Sequence, residues 1–132
     1  MSELSQFLKS NKKIKENIKY AATKSLCDKD GNPLEWELKP LTSSEHEEIR
    51  DQAVVGGRFS PALFRAKVIA SCVVYPDLYD SELLESYGVL TPEQLVPEMV
   101  DDVQEYNALF DKVISIGDNA DINEKVKQAK NS

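Results

Sequence analysis

Histidine is scarce in this chain, and so is cysteine. The 132 residues include one histidine, His46, and two cysteines, Cys27 and Cys72, which are not in a CxxC spacing. Serine and cysteine nucleophiles need an imidazole held between two partners, whereas His46 stands among three glutamates at a predicted solvent-facing helix position. The sequence therefore predicts no enzyme active site and no cofactor. It also predicts two free, mostly buried thiols, with a regulatory disulfide as the alternative.

Long hydrophobic runs are missing as well. No stretch approaches the roughly 20 consecutive apolar residues that span a bilayer. The N-terminus has neither the apolar run nor the small-residue cleavage site of a signal peptide. We therefore expect no membrane partner and a location in the cytoplasm of the cell that makes the protein.

Positive charge is concentrated at one end of the chain. The net charge is −7, yet residues 1–24 hold six lysines against two glutamates, so the remaining residues sum to −11. An acidic body repels a phosphate backbone, which argues against a nucleic-acid partner. The lysine-rich segment either steers an acidic partner or is an ordinary solvated face.

Alternating apolar residues predict a β-hairpin over about residues 18–39. One run begins at Ile18, the other contains Trp36 as its main anchor, and turn-forming residues 28–33 separate them. The turn opens like a calcium-binding loop, but Pro33 and Lys39 occupy the places where that loop needs glycine and glutamate. A plain turn, with no metal, is the prediction.

Helices are predicted for the rest of the chain. A short first helix carries Leu4, Phe7 and Leu8 on one face. Capping and stop signals then place helices at residues 42–55, 62–75 (buried nearly all round), 81–87, from 91 with a kink or break at Pro97, and 101–116 with Val103, Tyr106, Phe110 and Val113 on one side. The predicted fold is α+β and mainly α, with the N-terminal helix and hairpin packed on about four to five helices. One globular domain is expected at 1–117, followed by a polar tail at 118–132.

Two segments give the chain a resemblance to a known family. They are DGNPLEWELKPLT and VVYPDLYDSELLESYGV, neither of which generic helix or hairpin chemistry requires. With the alternation TPEQLVPEMV and the tail DINEKVKQAKN, they make the chain resemble the XkdN-like tail assembly chaperones of phages and defective prophages. The match is weakest over residues 54–59.

The resemblance implies a non-enzymatic chaperone that binds the tape-measure protein, brings tail-tube subunits to it and is absent from the finished particle. It leaves a homo-oligomer open. Candidate contact residues are Tyr79 and Tyr87, for which a place in the core is the alternative. The stripe Ile122, Val126 and Ala129 in the tail is a further candidate, and a frayed terminus its alternative.

A small acidic inhibitor or immunity-type protein that blocks a basic surface is the second hypothesis. The −11 charge of residues 25–132 favours it, but the acidic residues are spread along helix starts without a dense cluster.

Overall fold

Short strands alternate with six helices in the part of the chain that the computed structural model describes, residues 2–116. The elements in chain order are α1 (Ser2–Gln6), a 3₁₀ turn (Lys9–Asn11), β1 (Ile18–Tyr20), β2 (Trp36–Leu38), α2 (Ser43–Gln52), β3 (Val54–Val55), β4 (Arg58–Phe59), α3 (Pro61–Cys72), β5 (Val73–Tyr75), α4 (Ser81–Ser86), α5 (Pro92–Met99) and α6 (Val103–Ser115). The predicted α+β, mainly α fold class is confirmed.

The predicted hairpin is present, with strands shorter than expected. β1 pairs antiparallel with β2, so that Ile18 faces Leu38 and Tyr20 faces Trp36. In the turn, Asp28 Oδ1 accepts the backbone N–H groups of Asp30 and Asn32 at 2.8 and 2.9 Å. These hydrogen bonds, that from Asn32 foremost, hold the pKa of Asp28 below its ordinary value. The carboxylate therefore serves the turn, as predicted.

A third strand corrects the predicted extent of the buried helix. α3 ends at Cys72, and Val73–Tyr75 form β5 on the other side of β2, giving the order β1-β2-β5. Two β-branched valines favour a strand, and Pro76 disfavours a helical conformation at Tyr75. The buried residues of α3 are Ala66, Val68, Ile69 and Cys72. Ala62 and Arg65 are exposed, so the helix is not buried all round.

A second hairpin replaces the predicted end of the preceding helix. α2 begins with the predicted capping box of Thr42 and Glu45 but ends at Gln52. β3 and β4 then pair antiparallel around Gly56 and Gly57, whose φ angles are 59° and 80°. Glycine adopts this left-handed region without the steric cost that other residues meet, which allows the tight two-residue turn.

The core lies where β2, α3, α5 and α6 meet, with Trp36 only 2% exposed. Trp36 is thus the anchor that the sequence predicted. α5 continues through Pro97 to Met99, so of the two predicted outcomes, a kink or a break, the helix does not break. On α6, Leu109 and Val113 are buried, whereas Val103, predicted on the same side as Val113, is exposed.

The apolar residues of the N-terminal segment remain outside this core. Leu4, Phe7 and Leu8 are 77%, 84% and 53% exposed. The predicted helix forms but ends at Gln6, so Phe7 and Leu8 lie beyond it. None of the three apolar residues packs closely on the bundle. Cys27 also differs from expectation, because it lies exposed in the hairpin while Cys72 is buried, and both thiols are free.

Candidate functional site

The two tyrosines predicted as contact residues have different surroundings. Tyr79 is 73% exposed, next to Leu78, which is 2% exposed and anchors this loop in the core. The backbone N–H of Tyr79 donates to Asp77 Oδ1 at 3.0 Å, which orders the loop. Tyr87 is half-buried and packs against the core as the C-cap of α4. Tyr79 is thus exposed on the surface, and Tyr87 packs against the core.

Tyr79 borders a cleft lined with carboxylates from α2 and α5. Lys39 Nζ lies 3.0 Å from Glu45, and Lys67 Nζ lies 3.2 Å from Glu93. The pKa of Glu45 is lowered, chiefly by its hydrogen bond with Lys39. Burial raises the pKa of Glu93, but hydrogen bonds from its own backbone N–H and from Lys67 outweigh that effect and lower it. Both carboxylates are therefore ionised and already engaged near neutral pH.

The second hairpin forms an exposed surface that sequence reasoning missed. This hairpin surface consists of Arg50, Val54, Val55, Arg58 and Phe59. Val54, Val55 and Phe59 are 47%, 61% and 47% exposed, and the Arg50 guanidinium carbon lies 5.6 Å from the centre of the Phe59 ring. Two glycines between a Val-Val pair and an Arg-Phe pair are the hairpin signal that could have identified it.

An aromatic cluster packs against Phe59 of the hairpin surface. The Phe59 and Phe64 ring centres are 5.7 Å apart, and Phe64 lies 6.4 Å from Phe110. His46 meets the Phe64 ring edge-on at 5.3 Å. His46 is therefore half-buried in an aromatic contact, whereas the sequence predicted that it faces solvent.

The lysine-rich segment borders an apolar groove beside the start of α2. Lys9, Lys12, Lys13, Ile14 and Lys15 line one side, and residues 40–43 line the other. Ile14 is 90% exposed. This segment thus combines apolar and positively charged side chains on the surface.

Between residues 2 and 116, His, Cys, Asp and Glu form no group of three or more that could hold a metal ion. In the same range, no helix has the length and apolar character needed to cross a bilayer. The predicted tail contacts Ile122, Val126 and Ala129 lie outside the described residues.

Comparison with known proteins identifies the family. The phage XkdN-like tail assembly chaperone family matches residues 4–130. The chain belongs to this family. It is 27% identical over 139 residues to the phage-like element PBSX protein XkdN of Bacillus subtilis (strain 168), an alignment covering 98% of this chain and 94% of that protein.

A solved structure has the same fold as this chaperone. The crystal structure of the protein yqbn aligns with a TM-score of 0.75 and 23% sequence identity, over 90% of this chain and 98% of that chain. The identity is low enough that this likeness concerns the fold alone. Membership of this family implies that the chain has protein partners in phage tail assembly. Its exposed surfaces are therefore the features to consider for function.

Proposed function

We propose that this chaperone binds the tape-measure protein during tail assembly, with tail-tube subunits as a second partner. In this proposal it catalyses no reaction, needs no cofactor, acts in the cytoplasm of the bacterial host and is absent from the finished particle. Residues 1–117 act as one globular domain, and residues 118–132 serve as an additional contact segment through Ile122, Val126 and Ala129.

The observation that carries the proposal is the contrast between a closed core and exposed apolar side chains. Trp36, Leu95 and Leu109 are at most 2% exposed, whereas Val55, Tyr79 and the apolar residues of the N-terminal segment are mostly exposed. Exposed apolar groups that lie together in a patch are typical of protein-interaction sites. They can cover an apolar stripe of an unassembled partner and release it later.

Co-expression with the neighbouring tape-measure protein, followed by pull-down of the tagged chaperone, tests this function. We expect the full chain to recover soluble tape-measure protein and a chain truncated after Gly117 to recover less. Tyr79→Ala should also reduce recovery, while Leu90→Ala, which removes an exposed side chain elsewhere, serves as the control. If the full chain recovers no tape-measure protein, the proposed function is wrong. Equal recovery by the truncated chain would assign binding to residues 1–117 alone.

Because the chain is acidic, our second proposal is that it inhibits a basic protein. Acidic residues stand in the first turns of α2, α4, α5 and α6, dispersed over the described part of the chain. An electrostatic inhibitor should lose affinity steeply with added salt, because screening weakens contacts between exposed charges. A chaperone contact made mainly by apolar groups should change little in the same titration.

A further inference from the structure

The groove beside the start of α2 carries charge of one sign. Within the described residues its lining includes no aspartate or glutamate and four lysines: Lys9, Lys12, Lys13 and Lys15. None of these four lysines forms an ion pair inside residues 2–116. We call this cavity the lysine groove. Its positive charge is not neutralised by any carboxylate of the folded part that the structure describes.

The lysine groove is also apolar and roomy. Ile14 on one side is 90% exposed, and Pro40 and Leu41 on the other side are half-buried. The volume is about 820 Å³. Cavities of roughly 300–1,000 Å³ hold small-molecule ligands, so this one has room for several side chains. An occupant that fits the groove combines apolar side chains with negative charge.

The last described helix ends beside the lysine groove. Ile114 of α6 lines a smaller cleft together with residues 41–43, and the same three residues line the lysine groove. Ile116 is only 6% exposed, so the end of this helix is held in the core. Residues 117–132 therefore begin next to the groove. Even at the helical rise of 1.5 Å per residue, these 16 residues span about 24 Å, which is enough to cover it.

The charged residues of the segment 117–132 are divided by sign. Those up to position 124 are all acidic: Asp118, Asp121 and Glu124. Those after position 124 are all lysines: Lys125, Lys127 and Lys130. Ile122, the first residue of the apolar stripe, lies between the second and third acidic residues. The part of the segment nearest to the groove thus has the combination of apolar and acidic side chains that the groove fits.

We propose that residues 118–126 of the same chain dock in the lysine groove. Ile122 and Val126 contact the apolar side chains of the groove, and the three acidic residues pair with its lysines. Opposite charges set the direction of the docked segment, because its lysine-containing half is repelled by the groove. The inference concerns the free chain and does not depend on the proposed function.

The covalent connection favours this segment over a second copy of the chain. A tethered segment meets its site at an effective concentration of the order of mM, so a weak contact is enough to keep it bound. Two separate copies each carry −7 and repel one another. Docking within one chain meets no such repulsion between whole molecules.

Docking would cover two apolar surfaces of the free chaperone at once. The groove buries the stripe, and the stripe buries Ile14, which limits non-specific association through exposed apolar groups. Under the proposed function, the stripe has to leave the groove before it contacts the tape-measure protein. The lysine groove would then regulate when residues 118–132 are available to that partner.

Zero-length crosslinking of the unmodified chain tests the docking. Carbodiimide joins lysine amines to carboxylates in direct contact, and mass spectrometry identifies the joined residues. In an equal mixture of light and ¹⁵N-labelled chains, we expect the groove lysines to be joined to the acidic residues at positions 118, 121 and 124 of the same chain. Lys29, exposed in the first hairpin, is the internal control. Crosslinks to the tail that join only light with heavy chains would assign the groove to a second copy and overturn the proposal.

A matched pair of variants tests the apolar contact. Ile122→Asp with Val126→Asp places charges on the stripe, and Asn123→Asp with Asn131→Asp adds the same charges off the stripe. We expect the first variant to shift the amide NMR signals of residues 14 and 41–43 and to lose the groove crosslinks at least about fivefold. The second variant should leave those signals in place. Equal shifts in both variants, or none in either, would contradict the docking.

The outcomes separate this inference from the proposed function. Crosslinks within one chain that the stripe variant loses support the docking, whether or not the chaperone recovers tape-measure protein. If the groove lysines are joined to the tail no more often than Lys29, the docking is wrong. Recovery of tape-measure protein by pull-down would then still support the proposed function.

Discussion

The hydroxyl of Thr23 donates a hydrogen bond to Glu105 Oε1 at 2.7 Å, joining residues 82 apart in the sequence. The second carboxylate oxygen accepts the backbone N–H of Lys24 at 2.9 Å. Thr23 is 2% exposed, and Glu105 stands in the first turn of α6, capped by Asp102. The Glu105 side chain thus links the segment that follows β1 to α6, the last described helix.

Removing this carboxylate should destabilise the domain. Glu105→Ala leaves a buried hydroxyl and a backbone N–H without their acceptor, at a cost of about 1–3 kcal/mol in the free energy of unfolding. Urea denaturation followed by the fluorescence of Trp36, the only tryptophan, measures it. Glu98→Ala, at an exposed helix position, is the control. Equal stability of both variants would show that the contact contributes nothing.

Acid should weaken the fold through carboxylates that the folded state keeps ionised. The groups whose pKa is lowered are Asp28, Glu37, Glu45 and Glu93. A lowered pKa means that the unfolded chain binds protons more readily, so the stabilisation is present above the unfolded value and lost as pH falls through the folded one. The ordinary pKa of these glutamates is 4.5. The melting temperature should therefore stay constant near neutral pH and decrease once the pH drops under about 4.5.

Glu93→Gln isolates one part of this acid response. The variant lacks the titrating group that pairs with Lys67 between α5 and α3. We expect its melting temperature at neutral pH to be lower than that of the original chain. Its melting temperature should also decrease less steeply on acidification. Glu98→Gln, which removes an exposed carboxylate of the same helix, should keep the original profile. An unchanged slope for Glu93→Gln would contradict the assignment.

Local signals predicted the helix starts well. Thr42, Ser60, Asp80 and Thr91 each accept a backbone N–H of the helix that they cap. A cap depends on residues three positions apart, so the sequence contains all of its information. The turn at Asp28 was predictable for the same reason, since its hydrogen bonds stay within five residues.

Strand pairing and exposure could not be predicted from such local signals. Val73 continues the apolar run of α3, and only its distant partner Leu38 makes it part of a sheet. Leu78 and Tyr79 are neighbours in sequence, yet one is buried and the other exposed. Which of the two enters the core depends on helices packed from elsewhere in the chain. The candidate contact residues were therefore harder to predict than the fold.

The two thiols should differ sharply in reactivity. Cys27 is exposed, whereas Cys72 is buried and desolvation raises its pKa to about 12. Because the thiolate is the reactive species, iodoacetamide near pH 8 should alkylate Cys27 and spare Cys72 in the folded protein. Intact-mass measurement should show one adduct in buffer and two in denaturant. Two adducts in buffer at equal rates would mean that the region around Cys72 opens readily.

The turn of the second hairpin should be sensitive to substitution of Gly56. Gly56 has a φ of 59°, and a Cβ added there would meet nothing within 4 Å. Gly56→Ala should therefore cost only the left-handed backbone penalty, about 1–2 kcal/mol in the free energy of unfolding. Gly56→Asn should cost less, because asparagine tolerates this region better than alanine does. Urea denaturation of both variants measures the difference. If alanine and asparagine cost the same, the backbone angle does not limit this turn, and the Gly56–Gly57 pair has some other role in presenting the hairpin surface.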